Sequence, residues 1–386
     1  MYWINSLASG LVGVFLQLYL YQRFASVSLN IVATLIDYTG IMVAFCGAGY
    51  LASVLRINLK HGFIVSFVVT AAAIFYVPHA VDFTHACLAM FAWGAGQGFF
   101  WLTGNTFELA ETVDGERDYY ASLLSAGNQV LSLVGPALAT LLIWLSGTVL
   151  GWGTYTLLFI VAPAVYVLGF FSFAYLRDYR PPRVVWADVS YFFSDRKNQL
   201  AQLYTLGTGI QQILSIAIMP LAVFFVLGTA LKVGAYDTLF AILSIICILG
   251  IARYRTPSNR LRMYAITTAG LILITVWFGY ELTLFALIGY TVLEAILGPL
   301  NNVTAHVINL SAMEVGRKET DFYATMLLRD FFLWVWRSLG GLALLLLAQF
   351  VPTDRSVLSF GLYMIALGLA VMYVGAYAFT RKAHQN

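Results

Sequence analysis

The residues of this chain best able to do chemistry are ionisable groups set inside long apolar runs. Glu294 stands in the run 282–305, Arg329, Asp330 and Arg337 in the run 323–349, and Asp37 in the run 29–54. A charge inside a bilayer costs about 2.5–3.5 kcal/mol on insertion scales, so each needs a compensating role. Glu294 and Arg337 fall near the middle of their runs, Arg329 and Asp330 nearer one end. Asp330 and Arg337 are seven residues apart, which puts them on one helix face about 10 Å from each other. Such groups suit recognition of a polar solute. They also suit carriage of a coupling proton, because burial and charged neighbours move a carboxyl's proton affinity in opposite directions. The alternative for Glu294 is a structural ion pair with Arg337 or Arg329. For Asp37, and for Asp237 two hundred residues later, the alternative is partial exposure or pairing near the outer leaflet.

Amides accompany these charges. Gln17 lies in the first run, Gln97, Trp101 and Asn105 in the fourth, Asn128 and Gln129 in the fifth, Gln211 and Gln212 in the seventh, and Asn301 and Asn302 in the tenth. An amide both donates and accepts, so the set suits a polar lining. Any one of them could instead make an interhelical hydrogen bond, worth about 0.6 kcal/mol on average in a membrane. The pair Gly298-Pro299 is expected to interrupt the tenth run beside Glu294, baring backbone groups that only protein or a wet cavity can satisfy. The stretch Gly94-Ala95-Gly96-Gln97-Gly98 is expected to let two helices approach closely. No glycine-rich nucleotide loop, zinc-ligand spacing or catalytic triad spacing is present, so the sequence supports no enzyme, metal or cofactor. Cys46, Cys87 and Cys247 read as small apolar side chains.

The elements that must position these residues follow from composition. Hydrophobic residues make up 61% of the 386, charged residues 10%, and mean hydropathy is +0.82. Soluble domains average about 45–50% apolar and ~25% charged. The solvent that suits such a chain is lipid, where a span needs about 20 apolar residues and must be helical to satisfy its own backbone. Twelve runs qualify: 3–24, 29–54, 61–81, 84–107, 119–146, 150–176, 201–228, 231–252, 263–280, 282–305, 323–349 and 356–380. The first reads as a span rather than a signal peptide, having no basic leader and no small-residue cleavage site. With the N-terminus inside, 16 of the 21 Lys and Arg fall in cytoplasmic loops. Three (Arg23, Lys232, Arg355) fall outside, and two lie within a span. That bias places both termini in the cytoplasm of a multi-pass protein of the cell (inner) membrane. No basic tract with interleaved aromatics supports nucleic-acid binding. The longest connector, 177–200, divides the chain into 1–176 and 201–386, and its stretch 184–193 is amphipathic enough to lie along the membrane surface.

The halves repeat. Asp118-Tyr119-Tyr120-Ala121-Ser122-Leu123-Leu124 matches Asp321-Phe322-Tyr323-Ala324-Thr325-Met326-Leu327, Leu7-Ala8-Ser9-Gly10-Leu11 matches Leu206-Gly207-Thr208-Gly209-Ile210, and Asp37 matches Asp237, all at offsets of 199–203. Six plus six helices, a basic central connector, cytoplasmic ends and a parallel repeat resemble the major facilitator superfamily. That superfamily carries Gly-x-x-x-Asp-Arg-x-Gly-x-Arg/Lys after its second helix. Here the segment Gly49 to Lys60 keeps Gly49, Arg56 and Lys60 but has Ser53 in place of the acid. Gly135-Pro136 is similar to the helix 5 motif of drug/proton antiporters, though Leu131 and Ala139-Thr140 replace its other glycines. The stretch Trp101 to Glu108, through Arg117-Asp118, looks like bacterial permeases of this superfamily.

The resemblance implies an all-α polytopic protein of twelve transmembrane helices in two pseudo-symmetric six-helix bundles. It puts helices 1, 4, 7 and 10 on the substrate path, which favours Glu294. It implies a secondary transporter that moves a small polar or amphipathic solute by alternating access, with a proton as candidate partner. A lipid or lipophile translocator or multidrug exporter is a second reading, suited to the aromatic content of 16%. A non-transporting scaffold or receptor is a third. Expected partners are the small-molecule or lipid substrate and membrane lipid, and the expected state is a monomer. Gly49, Arg56, Lys60, Glu108, Arg117 and Asp118 would form the cytoplasmic gate.

Overall fold

A computed structural model describes the backbone of residues 2–111, 114–171, 176–251, 260–313 and 322–383. Its helices are α1 Tyr2–Phe24, α2 Val27–Leu55, α3 Lys60–His79, α4 Phe83–Glu111, α5 Asp114–Trp144, α6 Thr156–Phe170, α7 Trp186–Ser194, α8 Arg196–Leu227, α9 Ala230–Ile251, α10 Arg260–Glu281, α11 Leu284–Met313, α12 Phe322–Ala348 and α13 Asp354–Ala383. Among the described residues ten helices are long and apolar enough to cross a membrane. The fourth and sixth of the twelve spans are α4, 29 residues long but diluted by glycine and polar groups, and the 15-residue α6. The chain is an integral, multi-pass membrane protein, and its large apolar side chains face outward accordingly: Phe285, Leu273 and Ile246 are all well exposed.

Three short turns between helices are written in one local code. At α1–α2, Ala25 takes the left-handed conformation (φ 49°) and its N–H closes on Tyr21 O at 2.7 Å. Ser26 Oγ then accepts the Leu29 N–H at 3.2 Å and starts the next helix. At α8–α9, Gly228 (φ 79°) closes on Phe224 O, and Thr229 Oγ1 accepts from Lys232 N at 3.4 Å. At α10–α11, Leu282 (φ 43°) and Thr283 repeat the device. A left-handed residue satisfies the last carbonyls of one helix, and a hydroxyl caps the first amides of the next.

Two compact units result. One comprises Met1–Ala25, Ile36–Arg183 and Thr229–Ala241, the other Ser26–Leu35, Val184–Gly228 and Ile242–Asn386. Each takes in a short piece from the other half of the sequence. Asn30 Nδ2 donates to Ala217 O at 3.5 Å and Leu35 lies on Gly341 in the second unit, while Gly234 lies on Phe15 and Thr140 in the first. Within the first unit α1 packs on α5 and α6, and α3 on α4 and α6. Within the second, α8 packs on α12 and α13, and α10 on α11 and α13. The two patterns are the same under a shift of one half-chain, which is the structural form of the sequence repeat.

Glycines set the tightest crossings. A Cβ on Gly98 would lie 2.5 Å from Ile41 O, and Gly94 would collide with Asp37 O, so the glycine-rich stretch of α4 is a close-packing surface as expected. The expectation of a broken tenth span is corrected. α11 runs unbroken from Leu284 to Met313 with Pro299 inside it. Proline removes one backbone donor, and neighbouring helices hold such a helix together in a membrane. The span is also eight residues longer at its C-terminal end than the apolar run suggested, and it therefore includes His306 and Asn309. α2 contains a widened turn at Val43–Ala48 and ends at Arg56, which is left-handed (φ 58°).

Candidate functional site

In the second unit, three helices bring the charged groups together. α8 and α12 approach at Gly209, where a Cβ would lie 2.7 Å from Trp336 Cβ and 2.9 Å from Arg337 N, and again at Gly340, 3.2 Å from Ile210 Cα. This close approach puts Gln212, one turn beyond Gly209, within reach of Arg337. Gln212 Oε1 accepts from Arg337 Nη2 at 2.6 Å and from Nε at 3.1 Å. Gln211, next to Gln212 on α8, behaves differently: its Nε2 donates along its own helix to Ser215 Oγ at 3.0 Å.

Two turns below Arg337, Arg329 is 5% exposed and donates from Nη2 to Asn309 Oδ1 on α11. Tyr204 on α8 lies within electrostatic reach of Arg329 and donates its hydroxyl to Ala305 O, one turn from Asn309, at 3.0 Å. Asp330 is within electrostatic reach of both guanidiniums. Its Oδ2 is buried with no hydrogen-bond partner, and so is Arg329 Nε. A buried guanidinium held by a neutral amide, beside a carboxylate, can recognise an oxyanion, because its donors form a planar fork.

Glu294 stands apart from that cluster. It is half-buried and shares a hydrogen bond with Tyr290, one turn away on α11. Asn309, which marks the level of Arg329, lies fifteen residues further along α11, about 22 Å at 1.5 Å per residue. Pairing of Glu294 with Arg329 is therefore ruled out by distance. Arg337 is eight residues along the oppositely directed α12, which leaves Glu294 about 10 Å beyond its level. Asn301 is buried and donates from Nδ2 to Thr268 Oγ1 at 2.7 Å and Thr267 Oγ1 at 3.2 Å, tying α11 to α10. Asn302, next to it, is exposed.

In the first unit the polar residues mostly hold helices to one another. Gln97 is buried and donates to Tyr166 Oη at 3.3 Å and Asn5 Oδ1 at 3.5 Å, and Ser9 Oγ shares a 2.8 Å hydrogen bond with the same Tyr166 hydroxyl. Ser6 Oγ donates to Asn128 Oδ1 at 2.9 Å. This joins α1, α4, α5 and α6. Asp37 is buried at the α2–α4 crossing, with its backbone on Gly94. Gln17 is buried, Asn105 half-buried, and Trp101 42% exposed with its ring 6.4 Å from that of Tyr2. The side chain of Gln129 lies outside the described residues.

The segment after α2 grips the start of the linker. Ser53 Oγ donates to Pro182 O at 2.8 Å, Arg56 Nη1 to Pro181 O at 3.3 Å, and Leu59 N to Tyr179 O at 2.9 Å. Asn58 Oδ1 accepts from Tyr179 N at 3.1 Å, and Lys60 forms an ion pair with Asp178. The Lys60 hydrogen bond, helped by Asn58, holds the Asp178 carboxyl below the ordinary carboxylate range. Ser53 thus does locally what the missing acid could not: it donates to a carbonyl. Gly49 and Glu108 are buried; the side chains of Arg117 and Asp118 lie outside the described residues.

Tyr204, Asn309, Asn5 and Tyr166 were not singled out from sequence. Asn309 fell beyond the apparent end of its run. The tyrosines carried no signal that separates a site residue from a membrane aromatic.

No family model and no curated relative matches the sequence. The fold is nonetheless that of the Major Facilitator Superfamily transporters, to which the chain is similar over nearly its whole length. The nucleoside transporter NupG superposes with a TM-score of 0.66 at 13% identity, covering 98% of this chain and 96% of that one. A bacterial homologue of the human lysosomal transporter Spinster, in an inward-facing form, gives 0.65 at 12%, covering 98% and 94%. The superfamily transporter FucP in its outward conformation gives 0.62 at 13%, covering 98% and 97%.

Proposed function

We propose that the protein is a secondary active transporter that moves a small polar or amphipathic solute across the cell membrane by alternating access, with both termini in the cytoplasm and Glu294 as the candidate coupling carboxyl. The observation that carries this reading is the buried charged cluster of Arg329, Asp330 and Arg337, held by Asn309 and Gln212 inside a fold shared with solute transporters. A scaffold gains nothing from charges that cost several kcal/mol to bury. The structures it resembles are described as nucleoside and fucose:proton carriers and as an organic anion transporter, which supports a soluble organic solute over a membrane lipid.

The test is uptake of a panel of labelled solutes into vesicles holding the full chain, with and without an imposed pH gradient. Gradient-stimulated uptake of one solute class is expected, and Glu294→Gln should keep solute binding while losing the stimulation. Undiminished gradient-driven uptake in that variant would remove Glu294 from coupling. Movement of labelled phospholipid alone would move the function to lipid translocation.

A further inference from the structure

α7 has nine residues, too few to span a membrane, yet it turns large apolar side chains outward. Trp186 is 80% exposed and Phe193 54%. With the half-buried Val189 they stand at i, i+3 and i+7, which is one stripe of a helix. Ala187, Ser190 and Ser194, also exposed, repeat that spacing on the next face and carry no large apolar group. Phe192 anchors the helix: it is buried, and its ring stacks on Phe332 of α12 at 5.9 Å. Phe193 meets the same ring edge-on at 5.8 Å, and Phe332 meets Phe331, itself exposed on α12, at 5.6 Å. The stripe of α7 is therefore continuous with the apolar outside of a span.

The C-terminal end of α7 sets its depth. It passes into α8 through one extended residue, Asp195, whose Oδ2 accepts from Asn198 N at 2.9 Å. Gln199 Nε2 braces the corner by donating to Phe193 O at 3.0 Å. α8 has 32 residues, about 48 Å at 1.5 Å per residue, which matches the ~40–45 Å of a bilayer with its headgroups. Its first turn, with Arg196 and Lys197, thus falls at headgroup level, where basic and tryptophan side chains are favoured. The other acid of the segment, Asp188, accepts from Val185 N at 3.1 Å, so both carboxylates are turned to backbone amides.

We propose that α7 is an interfacial helix that docks on phospholipid, in the leaflet at the N-terminal end of α8. Trp186, Val189 and Phe193 insert among the lipid chains, and Ala187, Ser190 and Ser194 stay toward water. A tryptophan suits this level because its ring is apolar and its N–H can meet a headgroup. An amphipathic helix at an interface sinks its apolar face about 5–10 Å, the reach of these side chains. A second copy of the chain or a soluble partner would need a face of about 20–30 residues, and the stripe offers three side chains. Insertion fixes the start of α8 to one leaflet through Asp195. The inference holds whatever solute the protein moves.

The experiment uses the full chain in phospholipid nanodiscs, with Cys46, Cys87 and Cys247 replaced by alanine. A nitroxide is attached in turn at Trp186→Cys, Phe193→Cys, Ala187→Cys and Ser190→Cys. Its accessibility to oxygen, which concentrates in lipid, is compared with its accessibility to a water-soluble nickel chelate. The oxygen-to-nickel ratio should be high at positions 186 and 193 and low at 187 and 190. The same ratio at all four positions would overturn the proposal, because α7 would then lie wholly in water or wholly in lipid. Exclusion of both reagents at 186 and 193 would overturn it too, by placing the stripe against protein. A second measurement keeps the native cysteines, in case their replacement prevents folding. Phospholipid brominated near the headgroup quenches the intrinsic fluorescence of the wild-type chain and of Trp186→Phe, which lacks one of nine tryptophans. The lipid-quenched emission should fall in the variant, and undiminished quenched emission would refute the insertion of Trp186. Neither readout depends on transport, so the transporter reading stands or falls separately.

Discussion

Replacing Gly209 by alanine tests whether the α8–α12 approach is what assembles the charged cluster. The new methyl carbon would sit 2.7 Å from Trp336 Cβ and 2.9 Å from Arg337 N. Ordinary carbon contacts begin at about 3.5 Å, so the helices must separate by roughly 0.8 Å or bend locally. Neither neighbour is the free end of a flexible side chain, so rotamer change cannot absorb the clash. Overpacking of this kind costs about 1–3 kcal/mol. The same displacement stretches the hydrogen bonds at 2.6 and 3.1 Å from Arg337 to Gln212, which as bonds to a charged group are worth about 1.5–3 kcal/mol. The expected result is a fall of several degrees in the unfolding temperature of the purified protein. Gly13→Ala is the control, since a Cβ there meets nothing within 4 Å and α1 gains up to about 1 kcal/mol of helix propensity. If Gly209→Ala and Gly13→Ala melt alike, the close approach does not hold the cluster and the reasoning fails.

Two further outcomes are expected. Ala25→Gly should raise stability by a few tenths to about 1 kcal/mol, because Ala25 holds a left-handed conformation that an L side chain resists and that Gly228 occupies freely at the equivalent turn; a lower unfolding temperature would show that the turn is not strained. A lone cysteine in place of Gln385 should escape membrane-impermeant thiol reagents in intact cells and react after permeabilisation, and labelling in intact cells would reverse the assigned orientation.

Much of the architecture was legible in the sequence because lipid imposes a simple rule. A span must be a long apolar helix, so composition reveals the helices and their order, while the placement of Arg and Lys supplies an expectation of direction. The repeat was legible for the same reason: Leu7 to Leu11 and Leu206 to Ile210 belong to α1 and α8, whose packing partners correspond. Depth along a helix was also readable, which is why Glu294, Arg329 and Arg337 stood out.

Azimuth and partner were not readable. Apolar residues surround a membrane helix on every side, so hydrophobic periodicity does not mark the face that meets a neighbour. Gln97, grouped with a polar lining, is spent on Asn5 and Tyr166, and Asn301 on Thr267 and Thr268. Arg337 went to Gln212, and Arg329 to Asn309, a residue beyond the apparent end of its apolar run. Those choices depend on where glycines let two backbones close to within contact, as at Gly209 and Gly340, and only the packed tertiary structure decides which helix fills that space.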